Sequence, residues 1–292
     1  MGWSFRQRGR EHGGYRRPVD PAHELAALVA TGSPPLDRSL ALIAAAGRPA
    51  VDVEALLRRL DHLAALVPGD DAVSLCAGVF GGAGRGEEVV GEPTRTGGLR
   101  FEGNRRDYYD PDNSLLDQVL DRRTGIPITL AVLGMELGRR RGVDLLGIGM
   151  PGHFLLRAAA DPELFLDPFD GGRPLDPEGC RRLFRVLHGA SAAFSESYLE
   201  PTGPVDIVVR VLNNLRVARL RRGDRHGLAD VLRLQVALPG SGLGDRRQLA
   251  GVLAADGRFL EAAALHDELV EEDHARADEH RAAAVRLRAN LN

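Results

Sequence analysis

Residues 125–142 read GIPITLAVLGMELGRRRG, residues 151–154 read PGHF and residues 165–172 read FLDPFDGG. Pro127 is a good first-turn residue, because its missing N–H would have no partner at a helix start anyway. Positions 128, 130, 131, 132, 133, 135 and 137 are all apolar and cover nearly the whole circumference of a helix. Such a helix is buried in a core rather than laid on a surface. It ends with Arg139, Arg140 and Arg141 against the negative helix end, then Gly142. Gly134 and Gly138 leave room for another chain segment to come close.

Short strands are predicted next, at Leu145–Met150, His153–Ala158 and Leu164–Asp167. Pro-Gly and Asp-Pro turns separate them, as in an antiparallel meander. Upstream, Ser114–Arg123 reads as a helix with Ser114 and Asp117 as a capping-box start and Gly125 beyond its end. From Ala22 to about Val67 apolar residues recur at helical spacing, with Asp37 and Asp52 placed as N-caps. Beyond Pro204 the pattern is helical only, at about 205–221, 225–238, 245–256, 258–272 and 275–290. Gly223-Asp and Gly257-Arg open similar helices 34 residues apart, the period of tetratricopeptide helix pairs.

The expected organisation is a disordered tail at 1–20, an N-terminal helical segment at 21–80 and a glycine-rich linker at 81–99. A core at 100–200 and a helical, tetratricopeptide-like region at 201–292 follow. The Gly-Ala-Gly-Arg-Gly run of the linker lacks the Lys-Ser/Thr ending of a phosphate loop, so no nucleotide cofactor is expected.

The chain has 292 residues, 43% of them hydrophobic, and a formal charge of −3, which gives no global reason to expect nucleic acid or an anionic membrane. Every basic residue is arginine, which removes lysine bases and Schiff-base sites. Cys76 and Cys180 are far apart with no Cys-x-x-Cys pair, against zinc sites and disulfide frameworks. The first residues are arginine-rich without an apolar run, and no apolar stretch reaches membrane-spanning length. A soluble cytoplasmic protein is expected.

His153 followed by Asp167 fits a base and its orienter on one hairpin. In a Cys-His-Asp hydrolase the thiol sits at a helix N-terminus, where the dipole favours thiolate. Here that place holds Pro127. Thr129, in the same first turn, is the nearest candidate hydroxyl, although threonine there commonly bonds the backbone. Asp110, Tyr108 and Tyr109 are candidate groove and recognition residues, with Asn104 and Asn113; Asn113 and Ser114 also read as a helix cap. A metal site from His153, Asp167 and Asp170 is disfavoured because no second histidine is suitably spaced. Cys180 reads as a small packing residue near a helix start.

Three segments carry a resemblance: FEGNRRDYYDPDNSLLDQVLDRRTGIPITL (101–130), LGRRRGVDLLGIGMPGHFLLR (137–157) and LFLDPFDGGRPL (164–175), with NNLR at 213–216. They resemble the transglutaminase-like fold, and more closely the bacterial SirB family, which is related to a segment of an F-box protein. Transglutaminase-like enzymes show Gly-x-Cys, an Ala four residues after the Cys and a Gly seventeen after the first Gly. Gly125, Ala131 and Gly142 meet those spacings, so the resemblance puts the nucleophile position on Pro127, the histidine on His153 and the acid on Asp167. It implies an α+β fold with a transglutaminase-like (papain-like) core, flanked by a helical N-terminal segment and a helical repeat-like C-terminal region. A protein without the nucleophile is then expected to bind a protein or peptide partner, with no cofactor or metal. An acyl-transfer hydrolase, amidase or protease using His153 and Asp167 with water or Thr129 is the alternative.

Overall fold

The computed structural model describes residues 20–81 and 98–290. The expected arginine-rich tail and most of the glycine-rich linker lie outside the described residues.

Four helices open the chain: α1 (Pro21–Ala30), α2 (Leu36–Ala45), α3 (Val53–Leu66) and α4 (Ala72–Phe80). Asp52 caps α3 by accepting from the Ala55 N–H, and Asp71 forms a capping box with Ser74 at α4. Asp37 does not cap α2. Pro35 holds that position without a side-chain bond, and Asp37 is buried in the first turn, where it pairs with Arg140 at 2.7 Å. The acid that looked like a cap is one end of a long-range ion pair.

A two-residue strand β1 (Glu102–Gly103) pairs in parallel with β2 (Thr124–Gly125). Between them lie a 3-10 turn at Pro111–Ser114 and helix α5 (Leu116–Arg122). The predicted helix at 114–123 is therefore shorter. Asp110 starts the 3-10 turn by accepting from Asp112 N–H, Ser114 closes that turn, and Leu115 opens α5 with no side-chain cap. Arg123, at φ 55°, makes the left-handed exit expected of a glycine, its guanidinium donating to the Leu99 carbonyl at 2.7 Å.

Helix α6 (Pro127–Arg141) begins and ends where its sequence says, with Gly142 left-handed beyond it. It is the central helix, buried on nearly every side by α2, α3, α4 and the sheet. At Gly138 a Cβ would fall 2.6 Å from the Val143 carbonyl oxygen, so the backbone after the helix turns tightly over this glycine.

The sheet is antiparallel in the order β3 (Leu145–Ile148), β4 (Leu155–Ala158), β5 (Phe165–Asp167) and β6 (Arg173–Leu175). The meander of three strands is as read. The fourth carries Pro174, which a strand tolerates only at an edge, where β6 lies. Alternation sorts the faces. Leu156 and Leu166 join the main core with α6, while Leu155 and Phe165 pack with Cys180 and Phe184 of α7 (Pro177–His188). Cys180 is buried near the start of α7, as a packing residue.

A 3-10 turn at Glu196–Leu199 leads to α8 (Pro204–Arg222), α9 (Arg225–Ala237), α10 (Leu243–Ala255), α11 (Phe259–Glu272) and α12 (Ala277–Ala289). These bounds fall within two residues of the periodicity. Each helix packs on the next, and α8 also packs against α2, α6 and the 111–114 turn. The first turns of α6 and the middle of α8 thus flank one groove. No helix among the described residues is long and apolar enough to cross a membrane.

Candidate functional site

His153 is placed by a Pro151-Gly152 turn, closed by its own N–H donating to the Met150 carbonyl, with Gly152 at φ 75°. The side chain therefore leaves the turn just ahead of β4 rather than from within a strand. Its Nε2 donates to Asp167 Oδ1 at 3.0 Å, and both residues are buried. The same Asp167 oxygen accepts from the N–H groups of Phe169 (3.0 Å) and Asp170 (3.3 Å), capping the 3-10 turn Pro168–Asp170. One carboxylate thus ends β5, starts the turn and fixes the imidazole tautomer.

In the neutral imidazole with Nε2–H toward Asp167, Nδ1 is an acceptor, and no hydrogen-bond partner meets it among the described residues. The ring borders a cavity of about 220 Å3 shared with Pro127, Ile128, Phe154, Arg210 and Asn214. His153 and Pro127, in the first turn of α6, therefore border one cavity, and Asp167 meets the imidazole at its Nε2.

Thr129 does not join them. Its buried hydroxyl lies 2.7 Å from the Asn113 carbonyl and 3.1 Å from that of Ile126, and it accepts from the Ile126 N–H at 3.2 Å. That hydroxyl closes the start of α6 and does not line the His153 cavity. Asn113 is likewise committed. Its Nδ2 donates to the carbonyls of Asp107 (2.8 Å) and Tyr108 (3.2 Å), and its Oδ1 accepts from Asn104 and Arg122. Asn104 Oδ1 accepts in turn from the Asp107 N–H at 2.9 Å. These two asparagines shape the 104–110 loop from beneath rather than offering amides to a ligand. Asp110 pairs with Arg122 at 2.7 Å.

That loop presents Tyr108 and Tyr109, 39% and 40% exposed, which pack edge to face at 5.3 Å between centroids. The Arg221 guanidinium lies over the Tyr109 ring at 3.8 Å. Tyr108 and His153 each meet the Phe169 ring edge to face, at 6.1 and 6.0 Å. Gly103 makes this possible, since a Cβ there would fall 2.4 Å from the Phe169 ring. The tyrosines wall a second cavity of about 380 Å3 with Asn214, Val217 and Ala218 of α8, and Tyr108, Gly152 and Asn214 border both cavities.

Arg210 supports the floor. It donates to the carbonyls of His153 (2.7 Å) and Met150 (3.0 Å), and its guanidinium lies 5.2 Å from the centre of the Phe154 ring. Burial pulls its pKa below the usual arginine value, and burial followed by Tyr109 raises that of Tyr108, whose phenol stays protonated at neutral pH. Phe169, Arg210, Asn214 and Val217 are the residues that sequence reasoning missed. NNLR at 213–216 was a signal for Asn214, whereas Arg210 and Val217 look like ordinary members of a helix. Among the described residues, no group of three or more His, Cys, Asp or Glu side chains converges to hold a metal.

Replacing Asp167 with alanine should cost about 1–3 kcal/mol, because a buried imidazole N–H and two backbone N–H groups lose their acceptor. The denaturant midpoint measures it, and an unchanged midpoint would mean that water already reaches the pair.

Residues 94–213 match the family model described as the transglutaminase-like superfamily. A UPF0162 protein of Xylella fastidiosa is 44% identical over 133 residues, covering 44% of this chain and 47% of that protein, so this match spans about half the relative's length. A UPF0162 protein of Pseudomonas aeruginosa is 32% identical over 206 residues, 70% of this chain and 73% of its own length. Human F-box only protein 21 is 39% identical over 94 residues, 29% of this chain and 15% of that protein. No solved structure matches. The α+β core built around α6 and the β3–β6 sheet is thus a transglutaminase-like domain, and the chain belongs to the UPF0162 protein family.

Proposed function

We propose that this protein is a non-catalytic, peptide-binding member of the transglutaminase-like superfamily, of the SirB type, that uses the former active-site groove for recognition. The observation that carries the reading is the pairing of Pro127 with His153 across one cavity. A proline ring offers no nucleophile, and the hydroxyl in the same first turn, on Thr129, is bonded to the Asn113 carbonyl and does not line the cavity. What the groove does offer is an exposed aromatic pair beside the apolar Val217 and Ala218, the kind of surface that anchors peptide side chains. The helix pairs α9–α10 and α11–α12 each follow a left-handed glycine, Gly223 and Gly257, and act as a tetratricopeptide-like extension of the binding surface. Cys76 and Cys180, buried as free thiols, suit a reducing cytoplasm.

Selection from a randomised peptide library tests this. Wild-type protein should retain a defined set of sequences that the Tyr108→Ala/Tyr109→Ala protein does not. Retention of the same set by both proteins, or of no set at all, would contradict groove binding.

A second reading rests on His153, which lines the cavity and whose Nδ1 has no partner among the described residues. Positioned by Asp167, it could take a proton from a bound water in an acyl-transfer hydrolase. Turnover of any amide or ester substrate, abolished by His153→Ala with the fold retained, would favour it.

A further inference from the structure

We propose that the His153 cavity receives the C-terminal residue of a peptide, with its free carboxylate against Arg210. This rests on the peptide-binding reading above and specifies which part of the peptide enters.

Charge is the first argument. Among the described residues no carboxylate pairs with the Arg210 guanidinium, which meets two carbonyl oxygens and the face of Phe154. Arginine does not deprotonate in proteins, so a half-buried positive charge borders the cavity. The acids nearby are already met. Asp167 holds His153 and two backbone N–H groups, and Asp110 holds Arg122. The Tyr108 phenol, whose pKa burial raises, and the Asn214 amide add neutral donors on the same wall. A site with an unmatched cation and further donors suits an anion, and a guanidinium suits a carboxylate.

Tautomer is the second argument, and it separates a chain end from an acidic side chain. In the neutral imidazole with Nε2–H directed at Asp167, His153 Nδ1 is an acceptor and asks for a donor. The terminal residue of a peptide carries a carboxylate and a backbone N–H on one α-carbon, so it can satisfy Arg210 and Nδ1 together. An Asp or Glu side chain holds its carboxylate one or two carbons further from the backbone N–H of the same residue, so the pair is more widely spaced. The cavity of about 220 Å3 is of single-residue size, and the adjoining one of about 380 Å3 beneath Tyr108 and Tyr109 takes the residue before it.

The experiment uses the full-length protein and three fluorescein-labelled pools of randomised heptapeptides: free acid, C-terminal amide, and free acid after a three-glycine extension. Binding is read by anisotropy, and the retained peptides are sequenced. The free-acid pool should yield binders that lose about tenfold or more when amidated or extended. Arg210→Gln should abolish the preference for the acid. Because Arg210 also ties down the His153 turn, Asn214→Ala serves as the second variant and should narrow the same preference. Equal binding of acid and amide, with dependence on Tyr108 and Tyr109 retained, overturns the chain-end assignment and leaves peptide binding standing. Enrichment of internal Asp or Glu regardless of the terminus assigns Arg210 to a side chain and overturns it too. Absence of binders in all three pools removes the peptide reading itself.

Discussion

A cysteine placed at position 127 should alkylate roughly thirtyfold or more faster at pH 8 than Cys76 or Cys180. Burial pushes both native thiols up to about 12, which leaves roughly one part in 10,000 as thiolate at that pH. A thiol at residue 127 would stand at the N-terminus of α6, in the cavity that His153 also lines, and both features favour thiolate. An ordinary cysteine, with a pKa of about 8.5, would already be about a quarter ionised. Lower basicity reduces intrinsic nucleophilicity, with a Brønsted slope of about 0.4–0.5, and that offsets part of a gain of about a thousandfold. Alkylation rates across pH, with each site resolved by mass spectrometry, measure it. A thiol at 127 that titrates at about 8.5 with ordinary reactivity would mean that Pro127 does not stand at the nucleophile position.

Arg140→Ala should destabilise the protein by about 3–5 kcal/mol, the usual consequence of removing one member of a buried ionic group. Arg140 reaches Asp37 and Glu136 at 2.7 Å and Asp61 at 2.8 Å, with its own side chain only 12% exposed. The alanine leaves Asp37 and Glu136 buried together, with only the largely exposed Arg139 against them. Burial, and then Asp37, already raise the Glu136 pKa, while the hydrogen bond from Arg140 leads the interactions that lower the Asp37 pKa against burial. A carboxyl whose folded pKa is raised binds more protons folded than unfolded, so its contribution grows as pH falls through that raised value. The variant should therefore recover part of its loss as pH falls from neutrality toward the ordinary carboxylate range. Urea midpoints at several pH values test both parts. A loss below about 1 kcal/mol would place the cluster with solvated surface pairs.

That cluster also shows where sequence reading stops. Asp37 follows turn residues and opens a helical period, which is what an N-cap looks like. Only the fold brings Arg140, 103 residues away, onto it. The bounds of α6 and α8–α12 were legible because glycine, proline and arginine mark their ends and apolar spacing fills their interiors. Helix α4 was not, since AVSLCAGVF is apolar almost all round and too short to show a period. In the site, His153, Asp167 and Pro127 were legible through spacing, and the structure brings them together. Thr129, Asn104 and Asn113 carry polar groups that suggest chemistry, yet their hydrogen bonds close inward on the backbone and on one another. The α8 wall was illegible for a different reason. Arg210 and Val217 lie far along the chain, and outside the NNLR stretch that holds Asn214 no local pattern says which residues of a helix will face a distant loop.

The most direct test of groove recognition is the dissociation constant of one selected peptide for three proteins: wild type, His153→Ala, and Tyr108→Ala/Tyr109→Ala. Loss of both aromatic anchors should weaken binding by roughly 2 kcal/mol or more, about thirtyfold. Loss of His153 removes one neutral hydrogen bond and should weaken it by no more than several-fold. The reverse order, with the tyrosine variant binding normally and the His153 variant failing while circular dichroism shows both folded, would contradict a recognition groove.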